Sequence, residues 1–187
     1  MGLSLESMAI EMPAVHGHPN RTGFRGVLTV VDVASDKSPS GARGHRVLLT
    51  RRAAEAAIPS LMGMGLDYSP ALDRHDARRK IGVITRADIV GSAIEVGGFL
   101  YARDFPEIVK EIGRPGRRDT AVSAGSESVG GDVRGARAGL GMSYEITDAF
   151  VEDITASVWV LSRVTFTGAA VLRRDKAAYR STWIELG

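Results

Sequence analysis

The sequence predicts an α+β or mainly-β protein, built as a closed or nearly closed β-barrel with a few short helices on its periphery. Three observations carry this. Runs rich in β-branched and aliphatic residues recur at 24–34, 46–49, 81–87, 92–101, 140–147 and 157–172, the composition of pleated, half-buried segments. Helix-forming stretches are few and short. Strands and helices do not alternate as a parallel βα fold requires.

Taken in order, residues 1–20 form a turn-rich lead with Pro13, Pro19 and the pair His16 and His18. Two histidines at that spacing chelate a metal on a strand, but no third ligand follows, and a flexible surface segment is the simpler reading. The first strand, 24–34, gives way to a loop over 35–44 containing Pro39 and Gly41. After the strand at 46–49, Thr50 stands where a helix N-cap belongs, ahead of Arg51-Arg52-Ala53-Ala54-Glu55-Ala56-Ala57. Pro59, Gly63 and Gly65 end that helix near Ile58. Residues 66–76 are an approach to His75. Two strands joined over 88–91 come next, the second carrying Gly97-Gly98, a site for a bulge or a close backbone approach. Residues 104–112 read as a helix with Asp104 as cap, Pro106 in the first turn and a stripe of Ile108, Val109 and Ile112.

Residues 113–139 hold seven glycines, five arginines, three acids and almost no large apolar side chain. Such a segment buries too little surface to order itself and reads as a flexible, exposed loop. Its arginines could contact phosphate, but no strand–loop–helix context makes it a phosphate cradle. The strands at 140–147 and 157–172 follow, then a short terminal helix over 176–182. Trp159 and Phe166 are assigned to the core and Trp183 to a terminal anchor.

The 187 residues suffice for one domain with a sizeable core. There is no cysteine, hence no disulfide framework, thiolate nucleophile or cysteine-based zinc site. A reducing compartment is permitted without being required. No apolar run approaches the roughly 20 residues that span a bilayer, and 1–13 lacks the basic start of a secretory signal. With 24 basic and 22 acidic residues the net charge is only +2, which makes no general case for nucleic-acid binding.

One stretch bears on chemistry: Leu140-Gly141-Met142-Ser143-Tyr144-Glu145-Ile146, read with His75 in Leu72-Asp73-Arg74-His75-Asp76. A strand serine beside a glycine presents its hydroxyl to a cleft, and it needs a base. A serine and a histidine 68 positions apart (143 − 75) carry little weight alone. The bland alternatives are a strand serine satisfied by the backbone and a surface-turn histidine paired with Asp73 or Asp76.

The order of blocks adds weight. Leu61-Met62-Gly63-Met64, His75, Ile81-Gly82-Val83-Ile84, Ile94-Glu95-Val96-Gly97-Gly98, the helix at 104–112, Leu140-Gly141-Met142-Ser143-Tyr144-Glu145 and Phe166-Thr167-Gly168-Ala169-Ala170-Val171-Leu172 together resemble the tailed-phage prohead (capsid maturation) serine proteases. These are similar in fold to the herpesvirus assemblins. The resemblance covers about residues 24–180. It implies a serine endopeptidase that cuts scaffold and capsid proteins, and often itself, inside the prohead in the host cytoplasm, with no cofactor or metal. It places the nucleophile at Ser143 and the general base at His75, and pairing with a second copy is consistent with it. Phage members usually orient the histidine with an acid in the strand after the serine, and assemblins with a second histidine there. Here 154–174 holds neither, and Arg163 falls near the expected spot. Glu152, Asp153 and Asp175 are the nearest acids, each also readable as a solvated charge. Arg173-Arg174 could hold an oxyanion water as paired arginines do in assemblins, or be a solvated pair. Two further readings stay open: a catalytically silent capsid or scaffold protein keeping the protease fold, and a phosphate- or nucleic-acid-binding barrel resting on the arginine-rich loop.

Overall fold

The computed structural model describes residues 17–114 and 139–187. His16 and residues 115–138, and with them the lead and loop readings that rest on those positions, lie outside the described residues. The chain is mostly β, 48% strand against 13% helix. One eight-stranded sheet is curled into a half-barrel; it does not close.

The strands are β1 Arg21–Val30, β2 Arg46–Leu49, β3 Gly65–Tyr68, β4 Lys80–Val90, β5 Ala93–Tyr101, β6 Leu140–Val151, β7 Val158–Arg173 and β8 Trp183–Leu186. The helices are α1 Arg51–Ala57, continued by a 3-10 turn at Ile58–Leu61, and α2 Pro106–Gly113. The long β7 organises the sheet. It takes β6 antiparallel on one side and, on the other, β2 and β3 parallel along its two halves. From β3 the sheet continues through β4, β5, β1 and β8.

Leu28, Leu49, Leu61, Leu66, Ile81, Ile84, Ile94, Leu100 and Met142 are fully buried inside the curl. α1 packs its buried Ala53, Ala54 and Ala57 there, and Thr50 caps it as expected by accepting from the Ala53 N–H at 3.2 Å. Opposite Gly97-Gly98 the β4 register slips between Ile84 and Arg86. A Cβ on Gly98 would lie 2.0 Å from the Val83 carbonyl oxygen, so the close backbone approach is real.

Four expectations are corrected. The barrel is open because β6 and β8, the strands that would meet, are not paired. β8 has four residues and spends one edge on β1. At the seam the Met142 N–H donates instead to the Thr182 hydroxyl at 3.2 Å, and the Met142 sulfur faces Gly26 of β1. The terminal helix is absent: 174–182 is a run of turns ending in β8, because Tyr179 is drawn into the core. Its hydroxyl bonds the carbonyls of Val33 and Val47 at 3.3 and 3.1 Å, and that tertiary anchoring outweighs local helix propensity. Asp104 does not cap α2; it accepts from the Asn20 side chain at 2.8 Å, and Phe105 holds the N-cap position with no side-chain bond. The first strand ends at Val30, where Asp32 turns left-handed at φ 58° and accepts from the Arg51 N–H at 2.9 Å. Among the described residues no helix is long and apolar enough to cross a membrane.

Candidate active site

Ser143 lies on β6 opposite Ala170 of β7, and Ala170 in turn lies opposite Asp67 of β3. Directly opposed residues share a sheet face, so Ser143, Ala170 and Asp67 form one row. Two positions along, Glu145 lies opposite Gly168, and its carboxylate reaches across that glycine. Lys80 of β4 extends the row beyond Asp67. Ala169 and Val171 point the other way, into the main core. The row therefore sits on the face turned away from the core.

Residues 69–79 fold over this face. Ser69 and Asp73 close the first turn, hydroxyl to carboxylate at 2.8 Å, and the Leu72 carbonyl accepts from the Arg173 N–H of β7 at 2.7 Å. Asp76 closes the second, accepting from the Arg78 N–H at 3.2 Å and drawing in Arg78 and Arg79 at 3.4 and 3.5 Å. Between these turns the Asp76 N–H donates to Asp67 Oδ1 at 3.1 Å, and His75 is brought down onto the row.

His75 Nδ1 lies 3.6 Å from Asp67 Oδ1 and 3.9 Å from Glu145 Oε1. Both are ion-pair distances, too long for hydrogen bonds. Accordingly neither ring nitrogen has a hydrogen-bond partner, although both are shielded from solvent. The Nε2–Ser143 hydrogen bond of a primed nucleophile is thus unmade in this conformation. The two carboxylates differ sharply: the Asp67 side chain is 1% exposed and that of Glu145 53%. Burial pushes the Asp67 carboxyl up, but the pull of His75 and Lys80 and the Asp76 N–H more than offset it, holding Asp67 below the ordinary aspartate range. Lys80 Nζ is 3.0 Å from Asp67 Oδ2.

Ser143 and His75 line a common cleft of about 860 Å³, within the range of ligand-binding clefts. Its other walls are the 37–42 loop and an apolar end formed by Val47, Trp159 and Leu161. Trp159 is held there by stacking on His45, ring centroids 4.6 Å apart, and by donating from its indole to the Ile154 carbonyl at 3.1 Å. It is therefore a cleft wall as well as a core residue, whereas Phe166 is fully buried and Trp183 opens β8.

Ser143 and His75 line the same cleft; the acids expected beside His75 are engaged elsewhere. Asp73 and Asp76 are committed to Ser69 and to the two arginines, so neither holds His75. Among the acids weighed for a third role, Asp153 accepts from the Thr155 N–H at 2.8 Å, and Asp175 lies beside Arg173 and Lys176 at 3.5 and 3.8 Å. Glu152 follows the far end of β6, where its N–H donates to the Val160 carbonyl at 3.3 Å. Arg163 reaches toward the Asp148 carbonyl, 3.5 Å away, over the Phe150 ring. Arg174 carries a buried guanidinium Nε with no hydrogen-bond partner among the described residues, and burial lowers its pKa. Asp67 was missed because β3 was missed: four residues bounded by Gly65 and Pro70 are too short to show a period. The available signal was an acid between Leu66 and Tyr68. No protein-family model matches the chain, and a search of curated proteins found no match to it.

Proposed function

We propose that this chain is a serine endopeptidase of the prohead-protease kind, with Ser143 as nucleophile and His75 as general base. Its substrates are then the scaffold and capsid proteins of a tailed phage, and itself, inside the assembling prohead in the host cytoplasm. The observation that carries the reading is convergence: two residues singled out 68 positions apart (143 − 75) share one cleft, with a buried carboxylate beside the imidazole.

In this reading His75 Nε2 takes the Ser143 proton as Oγ bonds to the scissile carbonyl carbon. The C–N bond then breaks, the proton passes from His75 to the leaving amine, and water hydrolyses the acyl-enzyme by the same route reversed. Each donor to the developing oxyanion contributes about 3–4 kcal/mol in comparable hydrolases. The edge of β6 suits an extended peptide. Since the Met142 N–H points away from β7, toward Thr182, the period of two puts the Tyr144 amide and carbonyl on that same edge, beyond the position that Thr182 occupies. A substrate strand adding there is held by main-chain bonds beside Ser143, with an apolar side chain against Val47, Trp159 and Leu161.

The test is incubation of the wild type and of Ser143→Ala with the scaffold or capsid protein encoded beside it, followed by mass spectrometry. Defined cuts by the wild type and none by the alanine variant support the reading. A second reading, a catalytically silent structural protein of the capsid or scaffold, draws on one observation: His75 Nε2 makes no hydrogen bond. Catalytic hydrogen bonds often tighten only with substrate bound. Intact substrate with both preparations at high concentration favours the silent protein.

A further inference from the structure

We infer that Asp67 is the positioning residue for His75, holding the imidazole with Nδ1 protonated and turned inward so that Nε2 is left bare toward Ser143. This rests on the protease reading and goes beyond it, because it places the orienting acid on β3 instead of on the strand after the serine.

The geometry is that of a row. Ser143, Ala170 and Asp67 stand side by side on three adjacent strands, two inter-strand steps or roughly 9–10 Å from end to end. An imidazole bridges such a gap when it bonds a hydroxyl on one side and a carboxylate on the other. The residue between them is alanine, so the floor beneath the ring is a single methyl group. Asp67 holds the histidine twice over. Its Oδ1 accepts from the Asp76 N–H, the amide that follows His75, at 3.1 Å, and the same oxygen faces Nδ1 at 3.6 Å. Oδ2 is occupied by Lys80 at 3.0 Å, which fixes the carboxylate plane. A closing movement of well under 1 Å brings Nδ1 within hydrogen-bond range of Oδ1.

Glu145 competes for the same nitrogen. It is 3.9 Å away but half exposed, so its attraction is screened by water and salt and its rotamers are not fixed. The carboxylate that selects the tautomer is the one buried with the ring. An aspartate in this role stabilises the imidazolium as it forms and stays ionised throughout.

The experiment compares the wild type, Asp67→Asn and Glu145→Gln. Cleavage of the scaffold or capsid substrate gives kcat and KM. Nitrogen-15 NMR of the neutral His75 ring, recorded in a Ser143→Ala background, reports the tautomer without requiring activity, and circular dichroism checks the fold. Asparagine keeps an oxygen for the Asp76 amide while removing the charge. We expect Asp67→Asn to fold, to lose about 100-fold or more in kcat with KM changed less than about threefold, and to shift the neutral ring toward the Nε2-protonated form. Glu145→Gln is expected to stay within about threefold in kcat and to leave the tautomer alone. If the wild type cleaves while Asp67→Asn keeps both its rate and the Nδ1-protonated ring, or if Glu145→Gln is the variant that shifts them, the assignment to Asp67 is overturned. If the wild type cleaves nothing, the protease reading fails, and the NMR comparison still decides whether Asp67 sets the tautomer. Should Asp67→Asn not fold, Lys80→Met is used instead. By freeing Oδ2 it is expected to lower kcat about tenfold with the tautomer retained, and wild-type kcat in that variant overturns the proposal.

Discussion

Between Ser143 and Asp67 the sheet offers only the methyl group of Ala170, which is completely buried. Ala170→Val adds two methyl groups where the ring must pass. Valine suits a strand, so the fold should survive, with an overpacking cost of about 1–3 kcal/mol. Peptidase kcat should fall at least about tenfold as His75 is displaced. Gly168→Ala, two residues away, is the contrasting case. Its Cβ would meet Glu145 Oε2 at 2.7 Å, the far end of a flexible exposed side chain that can swing aside. Thermal melting and cleavage rates should show little change, and a large loss there would mean that Glu145 is fixed and functional. At this scale the sequence was legible where chemistry is concentrated in one residue type beside a recognisable block, as with Ser143 and His75. It was not legible for Ala170, whose smallness matters only once β3, β7 and β6 are seen side by side.

Elements show the same division. α1 could be read because its signal is local: Thr50 caps, and four alanines follow in the next seven residues. Thr50→Ala should lower stability by about 1 kcal/mol in urea melts, leaving the Ala53 amide unpaired. The β4–β5 hairpin was legible from its two long runs and from Gly97-Gly98. Gly98→Ala should be far more damaging than the cap variant, because the Val83 carbonyl at 2.0 Å is backbone and cannot move aside. A loss of more than about 2 kcal/mol is expected, and a smaller one would mean that the strands separate there at little cost. β3 and β8 have four residues each, too few for a period of two to stand out. Both exist because neighbours pair with them: β7 and β4 flank β3, and β1 borders β8. β3 is further fixed to α2, since Tyr68 donates to Glu107 at 2.5 Å and packs edge-on against Phe105. That anchoring keeps Asp67 in register with Ala170.

For the whole molecule, covering the outer face of the sheet is a matter of charge as well as of packing, because the 69–79 segment lies over that face through the Asp67 carboxylate. Asp67 accepts from the Asp76 amide, faces His75 and binds Lys80, all three interactions favouring its ionised form. Its carboxyl is held below the ordinary aspartate range, with burial opposing and these partners prevailing. A group whose folded value lies below its unfolded one stabilises the native state fully above the unfolded value, and that stabilisation is lost as pH falls through the folded value. Asp73, Asp76, Glu107 and Asp153 are lowered too, so acid destabilisation of the wild type alone would not isolate Asp67. The difference from Asp67→Asn does. In urea melts the wild type should exceed the variant by a gap that is constant above about pH 5 and narrows as pH drops below about 4. Part of the gap will persist at the lowest pH, since asparagine also presents an amide NH2, a donor, to Lys80. A gap that does not change with pH would mean that the Asp67 carboxyl titrates alike in the folded and unfolded chains, and a gap that widens as pH falls would mean that Asp67 is protonated in the folded protein, with the segment carrying His75 held to the sheet by hydrogen bonding without charge.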